Sequence, residues 1–329
     1  MRRNLLLMAA TATAAVVSIA GCGSAGSSGT KAPAASASGA GCAPVAGTSL
    51  VVLTDDKGLQ HTDNVIPAIN KKASSPQLIA ALDKVSAVLD TPKLVALNKA
   101  VGVDRKSSTQ AAQDFMTANN VTAGIQKGAG GKIIIGAANF PESATLGAVY
   151  AQALTAAGYT VTVQTIGNRE LYEPELEKGK IDIVPEYAAT LATFLAGKQK
   201  ATDPSSSDLT TTVTGLTALG AKAGLVFGQP SQAQDENAFA STTAFADKYG
   251  LKTLSDLATK CSGAATVLGG PAECPQRPEC QAGLVSLYHF QAGSFSTLDA
   301  GGPLTLTALK TGKISVGLVL SSDPALASS

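Results

Sequence analysis

Between positions 132 and 195 the apolar residues first form a short continuous run, as in a buried strand, and then recur every three or four positions, as on one face of a helix. Ile133–Ile135 is a short apolar run of the length of a buried strand, and Pro141 and Glu142 after it are typical of the first turn of a helix. We predict that this helix ends at Gly158, because glycine readily takes the left-handed conformation that closes a helix. Its apolar stripe, spaced by three or four positions, consists of Leu146, Val149, Tyr150, Ala153, Leu154 and Ala157.

The same region continues with a regular alternation of strands and helices. Apolar runs at residues 161–166 and 181–184 predict two more strands, with a helix between them that ends near Gly179 and another helix from Glu186. Strands that alternate with helices in this way form a parallel sheet covered by helices. Ligands bind such sheets at the carboxyl ends of the strands, where helix N-termini offer free N–H groups. We therefore expect an α/β protein whose ligand site is formed by the segments that follow these strands.

The chain on either side of this region has the same α/β character. Before it, a strand at Leu50–Leu53 precedes three helices, the second and third of which start near Pro92 and Ser108. After it, strands are predicted at residues 265–268 and 314–320, with helices between them. A chain of 329 residues with 45% hydrophobic content is long enough to form two lobes, each with a core.

The N-terminus has the pattern of an export signal. Arg2 and Arg3 precede an apolar run at residues 5–19, which is short for a membrane span. Ile19-Ala20-Gly21-Cys22 resembles a bacterial lipobox, so residues 1–22 are expected to be a lipoprotein signal with Cys22 as the lipidated residue. A plain signal peptide cleaved nearby is the alternative. Residues 23–47 are rich in Gly, Ser and Ala, and we expect a flexible tether of about 25 to 30 Å.

Charge and aromatic content narrow the classes of partner. Lys and Arg number 25 against 24 Asp and Glu, for a formal net charge of +1, which becomes −1 without Arg2 and Arg3. Nothing in this balance indicates nucleic acid binding. Only 4% of residues are aromatic and there is no Trp. A cationic ligand, which binds best against aromatic faces, would therefore find few of them.

Three segments in the central region carry a specific resemblance. They are NFPES at residues 139–143, GNRELYEP at residues 167–174 and KGKIDIVPEYAAT at residues 178–190. In order and spacing they resemble segments of the substrate-binding proteins of ABC transporters for glycine betaine, choline and other quaternary amines. The resemblance implies a periplasmic-binding-protein-like (type II) two-lobe fold that closes on a compatible solute such as glycine betaine, choline or carnitine. It also implies delivery to a permease, attachment to the outer face of the cytoplasmic membrane, a monomer, no cofactor and no enzymatic activity.

The order of the segments departs from that family. The stretch SLVVLTDDKGLQHTDNVIPAINKKA, at residues 49–73, resembles the carboxy-terminal part of a family member, yet here it comes first. We therefore predict a circular permutation. Lobe 1 would span 48–236, made of the family's C-terminal segment at 48–120, a joining linker at 121–131 and its N-terminal segment at 132–236. Lobe 2 would span 237–329 and end at an opened hinge. An unrelated N-terminal domain before a truncated receptor is the alternative.

The five cysteines suggest two disulfides. Apart from Cys22, four remain, an even number in an exported chain. Cys274 and Cys280 flank a five-residue loop and are the first expected pair, which leaves Cys42 with Cys261, although four cysteines allow three pairings. A Cys42–Cys261 bond would tie the two lobes together where the permutation opens the hinge. Zinc is the competing use of four cysteines, but the chain has no CxxC pair.

In the first lobe the resemblance implies five ligand contacts. Tyr187 matches a cage tyrosine and Thr190 a ligand-contacting threonine, whereas a packing role at a helix start is the alternative for Tyr187. Asn139 and Phe140 would line the rim, with helix capping as the alternative for Asn139. Arg169 would contact the ligand or the other lobe, or else form a salt bridge.

In the second lobe the resemblance implies one ligand-binding arginine. Several other positions differ from the pattern of the family. Arg277 matches an arginine that holds a ligand carboxylate bidentately, with an exposed charge in a disulfide loop as the alternative. Asn237, Leu306 and Leu320 stand where related receptors have further cage tyrosines, and Ala138 where some have a longer polar side chain. Asn237 would still contact the ligand. With one cage aromatic, the ligand is expected to be less methylated, more polar or larger than glycine betaine.

Other chemistry has little support in the sequence. His61 and His289 are the only histidines and stand in unrelated contexts, and GAGGK at residues 128–132 lacks the spacing of a phosphate-binding loop. No nucleophile or metalloprotease motif supports an exported hydrolase. A surface lipoprotein that keeps the fold as a sensor or scaffold for a non-betaine ligand remains the alternative function.

Overall fold

The computed structural model describes residues 39–326 of the chain. The predicted signal, Cys22 and the tether up to residue 38 lie outside the described residues. Within residues 39–326, every helix is too short or too polar to cross a lipid bilayer.

The described residues form ten strands and eleven α-helices. The strands are β1 (Leu50–Leu53), β2 (Val65–Asn70), β3 (Lys132–Ala138), β4 (Thr160–Gly167), β5 (Ile183–Tyr187), β6 (Leu225–Phe227), β7 (Asn237–Thr242), β8 (Gly263–Gly270), β9 (Ala292–Thr297) and β10 (Val316–Leu320). The helices are α1 (Pro76–Ser86), α2 (Thr91–Gly102), α3 (Ser108–Ala118), α4 (Pro141–Ala156), α5 (Arg169–Lys178), α6 (Ala188–Gln199), α7 (Leu209–Lys222), α8 (Thr243–Tyr249), α9 (Leu254–Cys261), α10 (Gln281–Tyr288) and α11 (Pro303–Lys310). A short 3-10 helix spans Cys274–Gln276.

These strands form two five-stranded mixed sheets, which confirm the α/β class. The first sheet has the order β4-β3-β5-β2-β6 and the second the order β1-β7-β10-β8-β9. In the first sheet β3 is parallel to β4 and β5, whereas β2 is antiparallel to β5 and β6. In the second sheet β7 is the antiparallel strand, between β1 and β10. We call the first sheet with its helices lobe 1 and the second sheet with its helices lobe 2.

Helices cover both faces of the first sheet, as the alternating pattern predicted. The apolar faces of α1 to α4 form one core on one side, and those of α5, α6 and α7 form a second core on the other. Tyr150 and Leu82 are fully buried in the first core. Helix α5 ends at Gly179, whose φ of 73° is the left-handed conformation expected at a helix end.

The predicted lobe boundary is wrong at the N-terminal end. Strand β1, predicted as part of lobe 1, pairs with β7 in the second sheet, from Leu50 opposite Thr242 to Leu53 opposite Phe239. The chain therefore crosses between the lobes twice, through residues 54–64 and again through residues 228–236. These two crossovers pair with each other, because Asn64 forms an antiparallel bridge with Gln234. The opened hinge is also wrong, since both crossovers are continuous.

Strand β2, which was not predicted from the sequence, contains a proline. Proline lacks an N–H donor and normally argues against a central strand. Here Pro67 of β2 lies opposite Pro185 of β5 at a pair that exchanges no backbone hydrogen bonds, so the β2–β5 ladder loses no bond there, and the Pro67 carbonyl instead accepts from the N–H of Gly228 on the other side. All six residues of β2 are buried, and its position between β5 and β6 makes it an interior strand that joins the two parts of lobe 1.

Both expected disulfides are present, and both lie in lobe 2. Cys42 is bonded to Cys261, and Cys274 is bonded to Cys280. Cys42 lies in the arm before β1, where its N–H donates to the Thr266 hydroxyl of β8 at 2.7 Å. The expectation that this bond ties the two lobes together is therefore wrong. It fastens the N-terminal arm to the lobe in which β1 lies.

Candidate functional site

A cavity of about 80 Å³ lies between the lobes. It is bounded on one side by segments that follow β3, β4 and β5, and on the other by the loop after β8 and the end of β10. All seven ligand contacts predicted from the sequence line it. The complete lining consists of Asp63, Ala138, Asn139, Phe140, Ser143, Asn168, Arg169, Tyr172, Pro185, Tyr187, Thr190, Asp235, Asn237, Pro271, Glu273, Arg277, Ala300, Leu318 and Leu320.

The sheet brings the lobe 1 residues together. Asn139 and Phe140 connect β3 to α4, Arg169 opens α5 after β4, and Tyr187 ends β5. Thr190 follows in the first turn of α6. Strands β3, β4 and β5 are mutually parallel, so their carboxyl ends meet at one edge, as predicted.

Three aromatic rings line the cavity. The ring centroids of Phe140 and Tyr187 are 6.3 Å apart and the rings are tilted by 31°. Tyr172 is the third, buried in α5. The sequence did not predict Tyr172 as a site residue, although it lies within the GNRELYEP segment. The site has more aromatic surface than one cage tyrosine would provide.

Arg169 forms a buried salt bridge with Glu186. Its Nε donates to Glu186 Oε1 at 3.0 Å, and its Nη2 donates to Glu186 Oε2 at 2.6 Å. The same Nη2 donates to the Thr190 hydroxyl at 2.9 Å, and the Tyr172 hydroxyl donates to Glu186. Burial opposes the charge on Arg169, but Glu186, Tyr172 and Asp63 together outweigh it and raise the pKa of the guanidinium. Of the alternatives for Arg169, the structure shows the salt bridge.

Tyr187 is fixed from behind by a carboxylate. Its hydroxyl donates to Glu142 Oε1, while Ser322 Oγ donates to Glu142 Oε2 at 2.6 Å. Burial, followed by the charge of Glu142, raises the pKa of the Tyr187 hydroxyl. The backbone N–H of Ser322 donates to Asp235 at 2.9 Å. This network fixes the ring and also links lobe 1 to the segment after β10.

An ion pair joins the lobes across the mouth of the cavity. Arg277 Nη2 donates to Glu170 Oε2 at 2.8 Å and to Glu170 Oε1 at 3.1 Å. Beside it, Asn168 of lobe 1 donates to Glu273 of lobe 2 at 3.2 Å. The partner of Arg277 is therefore a carboxylate of the protein itself.

Two buried carboxylates line the cavity without having been predicted. Asp63, in the first crossover, accepts from the N–H groups of Ala189 and Thr190 at the start of α6. Burial raises the pKa of Asp63 to about 7, although the charge of Arg169 lowers it. Burial and the nearby Glu142 likewise raise the pKa of Asp235, in the second crossover. Neither residue belongs to a recognisable motif, because the crossovers approach the cavity only in the folded chain.

The positions at which this chain departs from the expected family pattern differ in their surroundings. Asn237 donates to the backbone oxygen of Glu279 at 3.3 Å, so its amide is partly engaged within lobe 2. Ala138 and Leu320 line the cavity with apolar surface. Leu306 instead lines a neighbouring cavity of about 170 Å³. Among the described residues, no cluster of three or more His, Cys, Asp or Glu side chains could hold a metal ion.

Comparison with known proteins gives consistent results. A family model, the substrate-binding domain of ABC-type glycine betaine transport systems, matches residues 44–118 and 131–329. A curated glycine-betaine-binding protein of Pseudomonas aeruginosa is 29% identical over 185 residues, which are 54% of this chain and 57% of that protein. The match thus spans just over half the length of this relative.

Two solved structures are similar to parts of the chain. The structure of a glycine betaine/carnitine/choline ABC transporter protein has a TM-score of 0.38 and 21% identity, and the match covers 60% of this chain and 71% of the other. The structure of the periplasmic murein tripeptide-binding protein MppA, in its unliganded open form, has a TM-score of 0.27 and 10% identity. That match covers 56% of this chain and 44% of the other.

Proposed function

Since the chain belongs to the family of substrate-binding domains of ABC-type glycine betaine transport systems, we propose that it captures a small compatible solute outside the cytoplasm for an ABC importer. The observation that carries this proposal is the cavity between the lobes, with its three aromatic rings and its buried carboxylates. Ammonium groups bind against aromatic faces, each contact contributing about 0.5 to 2 kcal/mol. The site therefore suits a ligand with an ammonium group of the glycine betaine, choline or carnitine kind.

Closure of the lobes is the proposed mechanism. Phe140, Tyr172 and Tyr187 hold the ligand from lobe 1, while Asn237 and Arg277 approach from lobe 2. Contacts from both lobes stabilise the shut state, since they form together only when the cleft is closed. A permease that recognises the shut state would then receive loaded protein only.

Circular permutation is part of the proposal. The family model matches on both sides of the predicted linker and leaves residues 119–130 unmatched. Strand β2, which comes before the linker, lies between β5 and β6, which come after it. A chain with residues 131–329 placed before residues 39–120, which keep Cys42, should therefore fold and bind the same solutes. Loss of the far-UV circular dichroism of the native order would count against the permutation.

We also propose that the protein is anchored through a lipid on Cys22 at the outer face of the cytoplasmic membrane. The lipobox and the Gly, Ser and Ala-rich residues that follow support this location. Replacing Cys22 by Ser should release the protein from membranes into the extracellular or periplasmic fraction. Retention of the Ser variant in the membrane fraction would contradict lipid attachment.

A thermal-shift screen of the chain from residue 23 tests the function. The panel contains glycine betaine, choline, carnitine, ectoine and amino acids. At a concentration 100 times Kd, a true ligand should stabilise the protein by about 2.7 kcal/mol, since it binds the folded state only. Tyr187→Ala should weaken any hit by loss of a ring, and Arg277→Ala by loss of the ion pair with Glu170. No shift across the panel would favour a sensor or scaffold role.

A further inference from the structure

Both guanidinium groups in the cavity wall already have carboxylate partners in the protein. Arg169 is bound bidentately by Glu186 inside lobe 1. Arg277, the residue expected to hold a ligand carboxylate, is bound by both oxygens of Glu170 across the cleft. Glu273 lies 3.6 Å from the same guanidinium. The contacts with Glu170 involve Nε and Nη2 of Arg277, so a ligand carboxylate could approach only Nη1, on a guanidinium whose charge Glu170 already offsets.

The remaining charges of the lining are acidic. Asp63, Asp235 and Glu273 line the cavity, and no lysine does so. Glu273 is largely covered and Asp63 is buried, so water screens the charge of Glu273 and of ionised Asp63 weakly. Burial and the nearby Glu142, by contrast, favour the neutral form of Asp235. A second anion placed among these groups would be repelled, whereas a cation would be attracted. The wall is therefore complementary to a ligand with net positive charge.

The same groups favour a ligand that can donate hydrogen bonds. A carboxylate accepts hydrogen bonds and, when ionised, donates none. Asp63 receives two backbone N–H groups, at 2.7 and 3.3 Å, and a carboxylate offers about four acceptor sites. A fully methylated nitrogen cannot use such an acceptor, but a hydroxyl or an N–H group can.

We infer that the ligand is a small organic cation with no carboxylate of its own and at least one O–H or N–H donor, as in an amino alcohol. This inference rests on the proposed function and narrows its ligand class. Glu170 takes the place that the carboxylate of a betaine would occupy on Arg277. Glu273 and the ionised form of Asp63 supply the negative charge, Asp63 and Asp235 supply acceptor oxygens, and the aromatic rings supply the faces for the ammonium group.

Isothermal titration with choline and glycine betaine tests the inference on the native protein. The two molecules share the trimethylammonium group and differ in a hydroxymethyl group against a carboxylate. The native protein should bind choline at least fivefold more tightly than glycine betaine. Glu170→Gln frees Arg277 and should reduce this preference about fivefold, the effect expected from one half-exposed ion pair. Glu175→Gln is the matched control, because Glu175 lies on the same helix in exposed pairs with Lys178 and Lys180.

The outcomes distinguish a failure of the ligand inference from a failure of the proposed function. A native protein that binds glycine betaine as tightly as choline overturns the inference but leaves solute capture standing. Binding of no panel member overturns the proposed function itself. If Glu170→Gln does not fold, Asp63→Asn replaces it, and it should weaken choline more than glycine betaine. Equal weakening of both ligands by Asp63→Asn would also overturn the inference.

Discussion

Choline should bind more tightly as the pH rises from 6 to 8, because Asp63 ionises in this range. Burial raises the pKa of Asp63 to about 7 even though Arg169 on α5 opposes the shift. The other groups that approach it are Asp235 of the second crossover, Glu186 behind Arg169, and the N–H groups at the start of α6. The carboxylate form attracts a cation and the protonated form does not. The affinity should therefore follow the ionised fraction of Asp63.

The size of the effect follows from that one pKa. For a group with a pKa of about 7, the ionised fraction is roughly one eleventh at pH 6 and ten elevenths at pH 8. If the ionised form binds choline much more tightly than the protonated form, the affinity rises by up to about tenfold, equivalent to about 1.4 kcal/mol. At pH 7, binding should release about half a proton per choline. The charge on choline is quaternary and does not titrate, so the change belongs to the protein.

Isothermal titration at pH 6, 7 and 8 measures both quantities. Titrations in two buffers of different ionisation enthalpy at pH 7 give the number of protons released. Asp63→Asn removes the titrating group and should leave a flat affinity across this range. An affinity that changes by less than twofold in the native protein, or the same rise in Asp63→Asn, would refute the reasoning.

Three further predictions concern the ring and the stability of the fold. Tyr187→Ala should lower choline affinity by about two- to thirtyfold, the range of one cation-π contact, in the same titration. Replacing Cys42 and Cys261 by Ser should lower the free energy of unfolding by about 2 to 5 kcal/mol in urea, because this bond closes 219 residues of sequence separation. Leu82→Ala should cost about 2 to 5 kcal/mol in the same assay, since Leu82 is fully buried.

Matched controls separate these effects from general damage. Tyr187→Phe keeps the ring and should retain most of the affinity, so a loss as large as that of the alanine variant would exclude a ring contact. The Cys274–Cys280 bond spans a sequence separation of 6, and its removal should cost less than removal of the longer bond. Leu171 is 59% exposed, so Leu171→Ala should change stability by less than about 0.5 kcal/mol. A cost comparable to that of Leu82→Ala would contradict the assignment of the core.

Local pattern predicted much of the candidate site. Asn139 and Arg169 follow strands and Tyr187 ends one, and parallel strands place their ends at one edge, so their proximity required no knowledge of distant contacts. Helix α5 was predicted to end near Gly179, which the structure shows. These inferences succeeded because the period of a strand, the residue that ends a helix and the alternation of strands with helices all depend on residues close together in the chain.

The pairing between strands that are far apart in the chain could not be predicted from the sequence. Strand β1 has the same apolar pattern whether it joins one sheet or the other, and only its pairing with β7 places it in lobe 2. Strand β2 carries Pro67, which argues against an interior strand, and only the fold shows that Pro67 lies opposite Pro185 at a pair that exchanges no backbone hydrogen bonds. Neither fact can be read from the residues on either side.

The sequence by itself therefore determined the α/β elements, the edge at which the ligand contacts gather and the number of cysteines available for pairing. The tertiary structure alone decided that Arg277 faces Glu170 and that Asp63 reaches the cavity from a crossover. The reason is that charge complementarity depends on distance and burial. Both are set by how the two lobes meet, between residues more than 100 positions apart in the chain.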